Sequence, residues 1–408
     1  MKLNKWTVGL ATAGVVSLGS VVMADESPIS TLVSGTTIGG AVDTSAQWKP
    51  SSGSTMAKRF ANTAPNHYNG FNLEYVELRI EKPLDEGQWS AGYKAELWFG
   101  QDAAWLPGAL GGQNLAIKQA YVTMRAPLGN GLDFKIGQVD SLIGYESLSL
   151  YKNPNFSRSL GSYIEPWSQT GIVASYQAAE WVGLSGSIAN SSFGDMNAKE
   201  PFVSAGWGNP TTASLGAKGN GLLTYSGAVT FKAPESWGWL AGSALYGGIV
   251  DSLVTNQRNY MNYYAGLSLP TPIKEVTLGF AYDFGDRSWD AYGLGGIQNT
   301  YAQAVSGYIS WQVTEKLRFN TRVEYANASS SESGVWITPL LGEIDGYTVG
   351  SRERLRGLTG TLEYQLWDNV VARLEALWDR NLIGTGNSGP FNGNNNSVLL
   401  MANIAYKF

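Results

Sequence analysis

Residues 398–408 read Val-Leu-Leu-Met-Ala-Asn-Ile-Ala-Tyr-Lys-Phe, and their alternation puts Leu400, Ala402, Ile404, Tyr406 and Phe408 on one face of a strand that ends at the carboxylate. An apolar strand left unpaired at a chain end invites edge-to-edge aggregation in water, whereas in a closed barrel it is the strand that seals the sheet. Inside a bilayer only helices and closed barrels satisfy every backbone polar group. The stretch therefore predicts the closing strand of an all-β, transmembrane, antiparallel barrel.

The opposite end carries Lys2 and Lys5, an apolar stretch over residues 6–23, and small residues at Val22 and Ala24. This is the pattern of a secretory signal peptide over residues 1–24, which leaves residues 25–408 as the barrel domain. Losing Lys2 and Lys5 leaves 26 basic against 33 acidic residues, a formal charge of −7 that argues against a nucleic-acid binder. The chain has no cysteine, so hydrogen-bonded sheet must hold an exported fold without disulfides. Fifty glycines, fifteen tryptophans and twenty-one tyrosines with only 15% charged residues fit apolar positions that alternate rather than cluster.

Period-two alternation predicts sixteen strands: 36–48, 76–80, 89–99, 119–126, 132–137, 170–176, 182–189, 223–231, 239–247, 261–269, 276–284, 302–311, 317–326, 357–366, 370–379 and 398–408. Boundary errors of two to four residues leave counts of fourteen or eighteen open. Many approach the roughly 9–11 residues that a tilted strand needs to cross a bilayer. Odd strands are followed by long segments (50–70, 100–116, 138–169, 190–222, 248–260, 285–301, 327–356, 380–397) and even strands by short ones, such as 127–131 and 367–369. Short turns on the periplasmic side and long loops outside are barrel topology. Trp89, Trp181, Trp237, Trp239, Trp311 and Trp367 all stand beside short turns, where an aromatic girdle is expected.

On the face opposite the apolar one, alternation places Asp43, Glu77, Arg79, Glu81, Lys94, Glu96, Arg125, Asp133, Lys135, Arg318, Arg322, Glu324, Glu363, Arg373, Glu375 and Asp379. Arg or Lys facing lipid at the midplane would cost about 2–4 kcal/mol each, so these positions are assigned to a hydrated lumen. They come from strands one to five and thirteen to fifteen, which closure makes neighbours. Strands six to twelve offer mainly small neutral residues, such as Gly183, Ser185, Ser187, Thr224, Ser226 and Thr230. One charged and one neutral wall are expected, with little net preference of sign. The charges can equally pair to stiffen the wall, as Glu77/Arg79, Lys94/Glu96, Asp133/Lys135 and Arg373/Glu375.

Ile136-Gly137, then 142–146 (Leu-Ile-Gly-Tyr-Glu), 155–159 (Asn-Phe-Ser-Arg-Ser), Glu165-Pro166-Trp167 and Thr170-Gly171 resemble the putative β-barrel porin-2 family, the OmpL-like porins of Gram-negative bacteria. The resemblance implies a water-filled outer-membrane channel for small hydrophilic solutes and ions, acting by passive diffusion without a cofactor. The third long segment, 138–169, holds the position at which general porins fold a loop inward. Asp140, Glu146 and Arg158 would then face the charged wall; the competing expectation is a rim loop against a neighbouring subunit or lipopolysaccharide. The Tyr406-Lys407-Phe408 ending resembles the signal read by barrel-assembly machinery, and porins of this size are commonly homotrimers.

A barrel-anchored surface adhesin or structural outer-membrane protein is the second reading. An embedded enzyme is disfavoured: the lone His67, in Asn66-His67-Tyr68-Asn69, has neither a framed serine nucleophile nor a second metal ligand beside it. A transporter with a plug domain and about 22 strands exceeds this length.

Overall fold

The computed structural model describes residues 35–50, 59, 69–85, 87, 89–106, 109, 114–190, 196–197, 223–255, 258–290, 297–329, 353–382 and 394–408. The expected signal peptide and His67 lie outside the described residues.

Sixteen antiparallel strands form one closed barrel, each paired to its neighbours in sequence. They are β1 (Thr37–Trp48), β2 (Gly70–Lys82), β3 (Ser90–Phe99), β4 (Leu115–Ala126), β5 (Leu132–Asp140), β6 (Ser168–Ala179), β7 (Val182–Ala189) and β8 (Thr224–Lys232). The second half comprises β9 (Ala244–Thr255), β10 (Arg258–Pro270), β11 (Val276–Asp290), β12 (Ile297–Gln312), β13 (Leu317–Ala328), β14 (Glu353–Trp367), β15 (Val370–Asn381) and β16 (Asn396–Lys407). All sixteen expected strands are present.

The terminal strand closes the ring as its alternation requires. β16 pairs with β1 from Ala41 opposite Lys407 to Trp48 opposite Leu400, and the Gly40 and Phe408 backbones exchange hydrogen bonds of 2.9 and 3.1 Å. Leu400, Ile404, Tyr406 and Phe408 are exposed on the outer surface, while Ser397, Leu399, Met401, Asn403 and Ala405 point inward and are buried. Leu374 of β15, opposite Ala402, continues the same outer belt. The six tryptophans expected at the girdle are all outwardly exposed at or near the short turns.

Three expectations need correction. The strand expected at 76–80 runs from Gly70, and that expected at 119–126 runs from Leu115, because each contains a register shift that breaks alternation. At the first, pairing skips Glu74; at the second, it skips Lys118. Such bulges place two successive side chains on one face and hide the strand from a period-two reading. Second, β9 begins at Ala244 rather than 239, since Glu235–Leu240 forms a 3-10 turn in which Gly238 adopts φ 63°. Third, strict long/short alternation fails: β9 reaches Thr255 and β10 starts at Arg258, while β11 reaches Asp290 and β12 starts at Ile297. Above the lipid belt neither strand face needs to be apolar, so these extensions carry no alternating signal.

Candidate functional site: a loop folded into the lumen

The connection between β5 and β6 turns into the barrel and is tied to the wall by hydrogen bonds along most of its length. Two short 3-10 turns, Leu150–Lys152 and Gly161–Tyr163, shape it. Leu150, Phe156 and Leu160 are fully buried, an apolar spine that the alternation of the strands did not reveal. Leu150 and Phe156 pack with the inward Leu377, Leu399 and Met401, which explains why β15 and β16 carry apolar residues on their lumen face.

Charged wall residues act chiefly as anchors for this loop. Glu375 accepts from the amides of Phe156 (2.6 Å) and Ser157 (2.9 Å), and Arg373 donates to the carbonyls of Leu150, Tyr151 and Asn153 at 3.0–3.2 Å. Arg322 donates to Glu146 (3.0 Å) and to the carbonyls of Ser157 (2.5 Å) and Arg158 (3.0 Å). Glu324 accepts from the Leu160 amide (2.7 Å), and Glu77 from the hydroxyls of Ser149 (2.8 Å) and Tyr151 (3.0 Å). Arg59 of the first long connection joins this set by donating to Glu324 (2.6 Å), to the Arg158 carbonyl (3.1 Å) and to Asp379. Buried charges must be paired and hydrogen-bonded, and here backbone amides and carbonyls complete the shells.

The opposite side of the loop is apolar. Ile143 and Tyr145 reach Val250, Tyr264, Ala281 and Tyr308 of β9–β12, with Tyr145 stacked on Tyr308 at 4.4 Å. Gly248 and Gly279 make room: a Cβ would lie 2.4 Å from Ile143 and 1.9 Å from the Tyr145 hydroxyl respectively. Near the end of the loop, Glu165 faces Asp283 of β11. Burial first, and the neighbouring Asp283 charge second, hold the Glu165 carboxyl well above the usual carboxylate range.

Several expected pairings are different in the structure. Asp133 pairs with Arg125 (2.6 Å) rather than with Lys135, which lies over the Tyr121 ring. Arg373 pairs with Glu363 (2.8 Å) rather than with Glu375, and Glu363 also meets Arg318 at 3.5 Å. Lys94 does pair with Glu96 (2.9 Å), and Arg79 stands 3.8 Å from Glu77. Asp140 is the last residue of β5, bonded to Lys118 at 2.8 Å. Arg158 turns from the charged wall toward Asp102 (3.8 Å) and the Trp167 ring. Strands β6–β8 do present a neutral wall, with Ser175 bonded to Ser185 and Ser187 to Gln169, but Asp283 on β11 breaks the expected neutrality further round.

Arg59, Lys118, Tyr151 and the Glu165/Asp283 pair were not predicted as a set. Bulging hides Lys118, and Arg59 and Tyr151 sit in loops without a repeat.

A family model described as putative beta-barrel porin-2, OmpL-like, matches residues 35–408. The chain belongs to that family. No curated protein matches its sequence. Among solved structures, the outer-membrane channel DcaP of Acinetobacter baumannii is similar with a TM-score of 0.57 at 13% identity, over 91% of this chain and 97% of that one. The anion-selective porin of Comamonas acidovorans (TM-score 0.53, 11% identity) and the trimer form of OmpT of Vibrio cholerae (0.53, 9%) each cover 91% of this porin and 99% of their own chains. At such identities these likenesses speak for the fold. The porin is an outer-membrane channel, and its short turns therefore face the periplasm.

Proposed function

We propose that this porin passes small hydrophilic solutes and ions by passive diffusion, and that the loop over residues 141–167 sets its narrowest cross-section. The single observation that carries this reading is the ring of anchors from β9 round through the seam to β2, which occupies one side of the lumen. The passage is left beside β3–β8, where Lys94, Lys135, Ser175, Ser185 and Ser187 face inward. Glu77, Glu146, Arg322, Glu324, Arg373 and Glu375 act here as loop anchors, Arg79, Lys94, Arg125, Lys135 and Arg318 line the periplasmic half, and Asp140 lines the opposite end of β5, beside the loop. Arg158 braces the loop against the second connection. The family and fold point to a channel rather than an enzyme.

Residues 1–24 serve as a cleaved export signal in this reading. Phe408, exposed at the periplasmic rim, is the handle for assembly machinery. Lipopolysaccharide surrounds the outer belt, and three copies associate. Replacing residues 147–161 with a short Gly/Ser linker and recording single channels in a planar bilayer tests the constriction. A larger unitary conductance is expected; an unchanged one rejects it.

A further inference from the structure

On the periplasmic side of the loop, several lumen-facing cations stay part-exposed. Glu77 is fully buried with both oxygens occupied, whereas the side chains of Arg79 and Lys152 beside it are 32% and 25% exposed. Lys152 and Lys407 place their ammonium groups 5.2 and 5.7 Å from the same Tyr151 ring. Lys407 is the last residue of β16, bonded through its amide to Asn369 in the β14–β15 turn, so this shelf faces the periplasm.

The shelf continues along the wall. Ala41 of β1 stands opposite both Lys407 of β16 and Glu77 of β2, while Lys94 of β3 stands opposite Glu81 of β2 and Tyr121 of β4. Lys135 lies 5.3 Å over the Tyr121 ring. Arg79, Lys94, Lys135, Lys152 and Lys407 therefore form one arc around the passage.

Glu81, 37% exposed and 3.9 Å from Arg79, offsets part of this charge, while the neighbouring carboxylates are held elsewhere. Glu96 is fully buried and shared between Lys94 and Lys118, and Asp133 is held by Arg125 through two bonds of 2.6 and 2.7 Å. Among the described residues, Lys135 and Lys407 have an aromatic ring and no carboxylate within ion-pair distance. A ring face steadies an ammonium group without neutralising it. Low-dielectric walls then focus the remaining positive field into the passage.

We propose that this arc is an anion-binding step that makes the channel prefer small anions, including oxyanions such as inorganic phosphate, over cations. The proposal rests on the diffusion-pore reading and goes beyond the near balance of sign that the strand charges alone suggest.

The test is the zero-current potential of the purified full chain in a planar bilayer under a KCl gradient. The expected sign is that of chloride preference. Lys135→Gln with Lys407→Gln should lower the chloride-to-potassium permeability ratio about two-fold or more. Lys152→Gln on the loop should act in the same direction, and Lys316→Gln, in an exposed short turn, should not. Added inorganic phosphate should reduce the chloride current saturably, and less so in the arc variants. A potassium-preferring or unselective parent channel overturns the proposal, as do arc variants with the parent potential. Failure of the folded, heat-modifiable parent to conduct at all rejects the pore reading instead.

Discussion

The Arg322 guanidinium of β13 lies 3.0 Å from the Glu146 carboxylate of the inserted loop, and both side chains are buried. The same guanidinium pairs with Glu324 at 2.9 Å and donates to two loop carbonyls. Barrel wall and loop thus share one charge network, in which Glu146 meets its guanidinium only while the loop is docked.

Removing one member of a buried pair leaves the others uncompensated, at a cost of about 3–5 kcal/mol. Arg322→Ala is therefore expected to release the middle of the loop while the sheet stays closed. Single-channel recording should show larger, noisier conductance, and the heat-modifiable gel shift of the barrel should persist.

Glu375 offers a narrower test, because its two oxygens hold the amides of Phe156 and Ser157 as well as the Thr361 hydroxyl. Glu375→Ala orphans those donors, at about 1–3 kcal/mol each. Amide exchange at residues 156–157 should accelerate by orders of magnitude, with the β14 and β15 amides little changed.

Steric access to the neutral side is expected to matter independently of charge. Gly279→Val would drive a methyl group into the Tyr145 hydroxyl, since even a Cβ there lies only 1.9 Å away. Overpacking of this kind costs about 1–3 kcal/mol. Loss of the Tyr145–Tyr308 stack should appear as increased tyrosine accessibility, with conductance rising less than in Arg322→Ala.

The response to pH follows from Glu165. Its carboxyl is held above its unfolded value, so the protonated form is the one that the docked loop favours. That stabilisation is fully present below the ordinary carboxylate pKa near 4.3 and is lost as pH rises through the raised value. Open-channel noise should therefore grow with pH in that window and flatten in Glu165→Gln. A noise profile that Glu165→Gln leaves unaltered would contradict this assignment.

Much of the barrel is legible in the sequence. Residues 398–408 alternate without interruption, and their pairing with β1 followed from the need to close the sheet. Glu74 and Lys118 mark where legibility stopped: at each bulge alternation skips a residue, so the expected strands 76–80 and 119–126 are shorter than β2 and β4, and Lys118 falls outside them. Inward placement of Arg322, Glu324, Arg373 and Glu375 was readable from parity. Their partners were not, because parity assigns a face and says nothing of what lies across the lumen.

The sequence by itself determined the architecture: an antiparallel barrel with an apolar outer belt, a polar interior and a terminal strand that seals the ring, its count of sixteen fixed by the pairing. Those features are local, since a period of two and a bilayer's demand for satisfied backbone leave little choice. Only the tertiary structure decided which charges anchor the loop and which remain exposed to the passage. Arg59 meets Asp379, and Asn155 meets Thr361, across separations in sequence that no local pattern encodes. Strand register and the path of one inserted loop bring them together, and the same path buries Glu77 while leaving Arg79 and Lys152 exposed.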